Sequence, residues 1–87
     1  MEPIANTEGL EEKRDGEKGY IYNDDQAGPD MHVLHHVTCT TLALAKVPPR
    51  KWFSLDLQDA VNWLHAYRGQ EDVNWHRCDT QNSQCFG

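Results

Sequence analysis

The sequence predicts a small α+β domain made of a β-hairpin, a short helix, a short strand and one longer amphipathic helix, with a staple to close it. Three observations predict this. A chain of 87 residues has room for one core only. Its apolar share, 38%, is lean for that core. Its apolar residues fall into a period-two run followed later by a helical stripe. A domain with about seventy ordered residues seldom draws more than ~3–5 kcal/mol from its core alone, hence the need for a disulfide, a metal or a partner subunit.

The elements follow in order. Residues 1–18 are polar, carry six acids against three bases and show no apolar period, so they read as a disordered acidic arm, with residues 19–87 as the single folded domain. A helical turn around Leu10 to Arg14 has only Leu10 to anchor it. Tyr20-Ile21-Tyr22 is aromatic and β-branched and precedes a turn-rich loop, which makes it a strand. Met31 to Val37 alternates, with Val33, His35 and Val37 on one face and His32, Leu34 and His36 on the other. The two strands are expected to pair as a hairpin, although a loop this long leaves their register open. Thr38 to Val47 reads as a short helix capped by Thr40 or Thr41 and stopped by Pro48-Pro49. Arg50 to Phe53 is a short extended piece. Ser54 or Asp56 then caps a helix whose Leu57, Ala60, Val61, Leu64 and Tyr67 form one stripe, and Gly69 ends it. The tail from Gln70 is irregular, with Val73, Trp75 and Phe86 as its large apolar anchors.

The cysteines choose among the staples. There are three, an odd number, so disulfides alone leave one thiol over. The opening residues have neither the basic nor the apolar region of a signal peptide, and no apolar run approaches a membrane span, so the expected setting is cytoplasmic and reducing. There, clustered cysteines bind metal more often than they pair. His35-x3-Cys39 or His36-x2-Cys39 brings an imidazole and a thiolate to one strand-to-helix junction, and Cys78 and Cys85 return after the long helix. Three thiolates and one imidazole make the tetrahedral Cys3His shell of structural Zn2+ sites. The expected ligands are His35, Cys39, Cys78 and Cys85, with His36 as the substitute for His35. A Cys78–Cys85 disulfide is the covalent alternative.

His35-x3-Cys39-x2-Leu42, then Phe53-Ser54, then Asp59-Ala60 opening a helix, then two late cysteines: this order resembles the small zinc-binding modules of the Ada DNA-repair protein type, similar to modules at the ends of some nucleases. The likeness runs from Met31 to Cys85. It implies a compact αβ module with zinc held by the same four residues. Here six residues separate the late cysteines, where those modules carry a tight pair, and the repair chemistry is not carried over.

Charge narrows the function classes. The net charge of −6 disfavours general phosphate binding, and a closed ligand shell disfavours catalysis, so the chain reads as a non-enzymatic interaction module with a protein partner, a monomer by default. The alternative is a nucleic-acid accessory module using Lys46, Arg50, Lys51 and Trp52, which gather basic and aromatic side chains between Lys46 and Phe53. A thiol enzyme built on Cys39 lacks a visible oxyanion pocket. A calcium loop over Asp24, Asp25 and Asp30 is broken by Gly28-Pro29 and closed by no glutamate.

Overall fold

In the computed structural model, which describes residues 1–24, 32–39, 42, 46–47 and 50–78, a five-stranded mixed sheet carries a helix on each face. The strands are β1 (Glu2–Pro3), β2 (Tyr20–Asp24), β3 (His32–His36), β4 (Arg50–Ser54) and β5 (His76–Arg77), and the helices are α1 (Thr7–Asp15) and α2 (Leu57–Tyr67). The sheet order is β1-β4-β2-β3-β5, antiparallel throughout except that β5 joins β3 in parallel. The edge strands β1 and β5 are two residues long, and Pro3 sits on one of them, where a missing N–H costs no ladder bond. No helix among the described residues is long and apolar enough to cross a membrane.

The hairpin forms as its alternation predicts, with β2 and β3 paired from Tyr20↔His36 to Asp24↔His32. The short extended piece expected over Arg50 to Phe53 forms as the strand Arg50–Ser54, placed in the interior of the sheet between β1 and β2. The predicted helix over Thr38 to Val47 falls mostly outside the described residues.

Strand alternation sorts the core into two layers. Ile21, Phe53, Val37, Cys39, Leu42 and Cys78 pack with Ile4 and Leu10 on one face. Tyr22, Leu34 and Trp75 pack with Ala60, Val61 and Leu64 of α2 on the other. The α2 stripe is therefore buried as its period requires. Asp56 is the cap that the chain uses, its carboxylate accepting from the Gln58 N–H at 3.3 Å. Gly69, at φ +102, takes the turn that ends the helix and donates its N–H to Leu64 and His65 carbonyls. Gly19 answers a tighter demand. At φ +107 it lies so close to Phe53 that an added Cβ would stand 2.6 Å from the ring.

Residues 1–18 correct the expectation of a disordered arm. The side chain of Asn6 caps α1 by accepting from the Gly9 N–H at 2.8 Å, and Ile4 donates its N–H to the Lys51 carbonyl at 2.9 Å. Leu10 is 1% exposed. Two apolar residues six apart show no helical period, yet together they cover the sheet face that α2 leaves bare. The tail also differs: Trp75 is buried and holds it, while Val73 is 67% exposed.

Across from α1, one buried carboxylate ties α2 to the hairpin. Asp24 stands opposite His32 on β3 and Arg50 on β4. Its oxygens lie 3.0 Å from His32 Nδ1 and 3.8 Å from an Arg50 guanidinium nitrogen, and they pair with Arg68. The Tyr67 hydroxyl donates to Asp24 Oδ2 at 3.2 Å, and Arg68 Nε donates to the Tyr22 hydroxyl at 3.2 Å. Burial outweighs the Arg68 hydrogen bond and pushes the Tyr22 phenol up to about 12.

Two predictions follow from this packing. Leu10→Ala should lower the unfolding free energy by about 2–4 kcal/mol in urea denaturation, the range for a buried leucine, whereas a disordered arm would tolerate it. Because the folded Tyr22 holds its proton more tightly than the unfolded chain does, its contribution is complete below pH 10 and is lost as pH rises towards 12. Tyr22→Phe should therefore remove part of the alkaline loss of stability, roughly 2–3 kcal/mol, as read by denaturation across that window.

Candidate metal centre

The sheet face under α1 carries the thiols. His35 lies on β3, opposite Ile21. A turn then lifts Cys39 over the same face, its N–H donating to the His36 carbonyl at 2.9 Å. Cys78 arrives from the other side. It follows β5, and its N–H donates to the Leu34 carbonyl at 2.9 Å, continuing the parallel pairing of the two strands. The result is a buried cluster in which the ligand atoms of His35, Cys39 and Cys78 all lie within 4.8 Å of one another. The two sulfurs are 3.7 Å apart. Tetrahedral zinc with bonds of about 2.3 Å to sulfur sets its thiolates about 3.8 Å apart, so this edge has the right length.

The imidazole is in the right form. Burial, then the charges of His76 and Lys51, push His35 down to about 4, which keeps the ring neutral and a nitrogen lone pair available at physiological pH. His36 is turned to the opposite face. Its ring meets Tyr20 edge-on at 5.2 Å between centroids, and its Nδ1 accepts from the Thr38 N–H at 3.2 Å. The choice between the two histidines thus falls on His35, as the alternation of β3 demands.

Cys39 is also disulfide-bonded. Cys78 keeps its thiol, so the sequence-level alternative of a Cys78–Cys85 disulfide does not hold for it. A metal would need Cys39 as a thiolate, that is, with its disulfide reduced. Cys85, the fourth expected ligand, lies outside the described residues.

The expected basic and aromatic segment is not one surface. Arg50 and Trp52 face α2, whereas Lys51 and Phe53 face the thiol side. Lys51 is 3% exposed, and its ammonium donates to the Lys46 carbonyl at 2.6 Å. Lys46 itself is exposed. The residues that the sequence did not disclose are Asp24 and the side chains His32, Tyr67 and Arg68, which meet Arg50 at the Asp24 carboxylate. Their only signal is cross-strand register, which a hairpin with an open loop does not disclose.

No family model matches this chain, and neither a curated protein nor a solved structure is similar to it.

The geometry makes the two histidines unequal, and that is measurable. His35→Ala should weaken zinc binding to the reduced chain by more than the roughly 10–100-fold that changes outside the ligand shell cost. His36→Ala should leave it within a factor of about three. Competition against a zinc-responsive dye reads both affinities, and equal losses would remove His35 from the shell.

Proposed function

We propose that this chain is a non-catalytic, zinc-stabilised module that acts by binding another macromolecule. One observation carries the reading: a neutral imidazole and two cysteine sulfurs converge within 4.8 Å at a point buried between α1 and the sheet. Soft sulfur with imidazole is the donor set for zinc, and burial of the cluster suits a closed structural site better than one that admits substrate. Cys85 is the fourth ligand in this proposal. Three thiolates and a neutral imidazole leave a zinc site with one net negative charge, and the buried ammonium of Lys51, whose field is felt at His35, is placed to offset it. The likeness to Ada-type modules supports the same ligand set.

A second reading is favoured by the disulfide at Cys39, in which the staple is covalent and takes the Cys39 sulfur while Cys78 keeps its thiol. The two are alternative states of one cluster. Mass spectrometry under native conditions on protein purified anaerobically without added reductant separates them: the proposal expects the mass of one zinc, and the covalent reading expects the bare chain less two hydrogens. Chelation should then unfold the zinc form, seen as loss of circular dichroism, since structural zinc contributes an apparent ~10–16 kcal/mol in small domains. A reduced, metal-free chain with an unchanged spectrum would refute the metal reading.

On the partner, the net charge of −6 favours a protein with a basic face. The surface around Asp24 favours a nucleic acid, because there basic and aromatic side chains stand together.

A further inference from the structure

The face opposite the thiols carries an arrangement that packing alone does not require. Trp52, Trp63 and Tyr67 form one aromatic group, Trp63 stacked on Tyr67 with centroids 4.5 Å apart and Trp52 tilted against both, at 5.3 Å from Trp63 and 5.6 Å from Tyr67. None of the three is fully buried, and Tyr67 is 42% exposed. Two guanidinium groups border the rings, Arg50 at 5.4 Å from the Trp52 centroid and Arg68 at 5.1 Å from that of Tyr67. Both converge on the buried carboxylate of Asp24.

Charge decides what such a surface accepts. Among the described residues of this cluster, one carboxylate stands against two guanidinium groups, so the balance is positive although the chain is acidic. A cationic ligand is excluded by the guanidinium groups already at the ring faces. The rings stack on one another and enclose no box, so a side chain cannot be swallowed between them. A ligand with a flat π face and an attached anion meets every feature: it can stack on Trp52, Tyr67 or a guanidinium plane, and its anion can take the outward N–H groups of Arg50 and Arg68. The Arg50 side chain, 63% exposed, has donors to spare. An acidic peptide would use the arginines and leave the aromatic rings idle.

We infer that Arg50, Arg68, Trp52 and Tyr67 form a binding site for nucleotide units of single-stranded nucleic acid, with Asp24 as the residue that positions both arginines. The inference rests on the macromolecule-binding half of the proposed function and not on the metal, since the site shares neither side chains nor a sheet face with the thiol cluster.

Tryptophan fluorescence of the intact, reduced chain tests it directly, because two of the rings are the reporters. Titration with a thymidine oligonucleotide should quench emission saturably, and log affinity should fall against log salt with a slope of about −1.4, for roughly 0.7 per phosphate at two phosphates. Arg50→Gln changes an exposed side chain and keeps the fold; it should weaken binding at least about fivefold and reduce the slope by about half. Trp52→Phe keeps an aromatic ring in the core and should reduce the quench. Absence of a quench, an Arg50→Gln variant that binds like the parent, or a quench by polyglutamate but not by the oligonucleotide would each overturn the inference. A chain that binds the oligonucleotide yet purifies without zinc supports it and counts only against the metal centre.

Discussion

Everything in this fold hangs on the register of β2 against its two neighbours. Ile21 lies between His35 and Phe53, Tyr22 between Leu34 and Trp52, and Asp24 between His32 and Arg50. A slip of one residue would turn every one of these side chains to the other face. Asp24 would then enter the layer of Leu10 and Phe53, and Ile21 would meet the aromatic rings. The buried carboxylate is what makes such a slip costly, because an unpaired charge inside a protein costs several kcal/mol, of order 3–5, when its partners are removed. The ion cluster accordingly contributes more to choosing one alignment than to net stability.

Register alone does not hold so small a structure closed. Among the described residues the buried apolar material is divided between two faces, eight residues on one and six on the other. Neither layer is thick. On the α2 side the shortage is met by large rings, Tyr22 and Trp75 fully buried with Trp52 and Trp63 against them. On the α1 side the side chains are smaller, and the cluster of His35, Cys39 and Cys78 occupies the place that such rings would fill. A bond through the sulfurs, in the proposed zinc form or in a disulfide, would substitute there for missing hydrophobic volume. It would also fasten two distant stretches, β3 with the turn after it, and the end of β5.

What the sequence disclosed follows the range of the forces involved. The hairpin and α2 depend on local alternation and period, and both were legible, down to Gly69, although the register that pairs Tyr20 to Asp24 with His32 to His36 was not. The face of His35 was legible too, since alternation separates it from His36. α1 was not, because Ile4 and Leu10 make no stripe of their own; they become core only when a sheet face lies beneath them. The Lys46 to Phe53 segment misled for a related reason. As a linear stretch it is a basic patch, but as a strand it sends Arg50 and Lys51 to opposite faces, and β1 pairs along it only if the first residues are folded. The Asp24 cluster needed the same missing information, a register spanning three strands and the end of a helix.

The two chemistry-bearing clusters sit back to back on β2, β3 and β4, and this arrangement limits how they communicate. Side chains from opposite faces do not touch, so occupancy of the thiol cluster cannot be sensed at Arg50 through a contact. It can be sensed through the strands themselves. His35 and Leu34 are neighbours on β3, and the Leu34 carbonyl accepts the Cys78 N–H, so loosening Cys78 frees the edge of the strand that positions His32 against Asp24. Coupling of this kind is all or none, because a strand that leaves its partner loses a row of bonds together. Any such coupling is reciprocal, and the five-residue ladder between β2 and β3 keeps it small, so the arginine surface stands whether or not the sulfurs are linked.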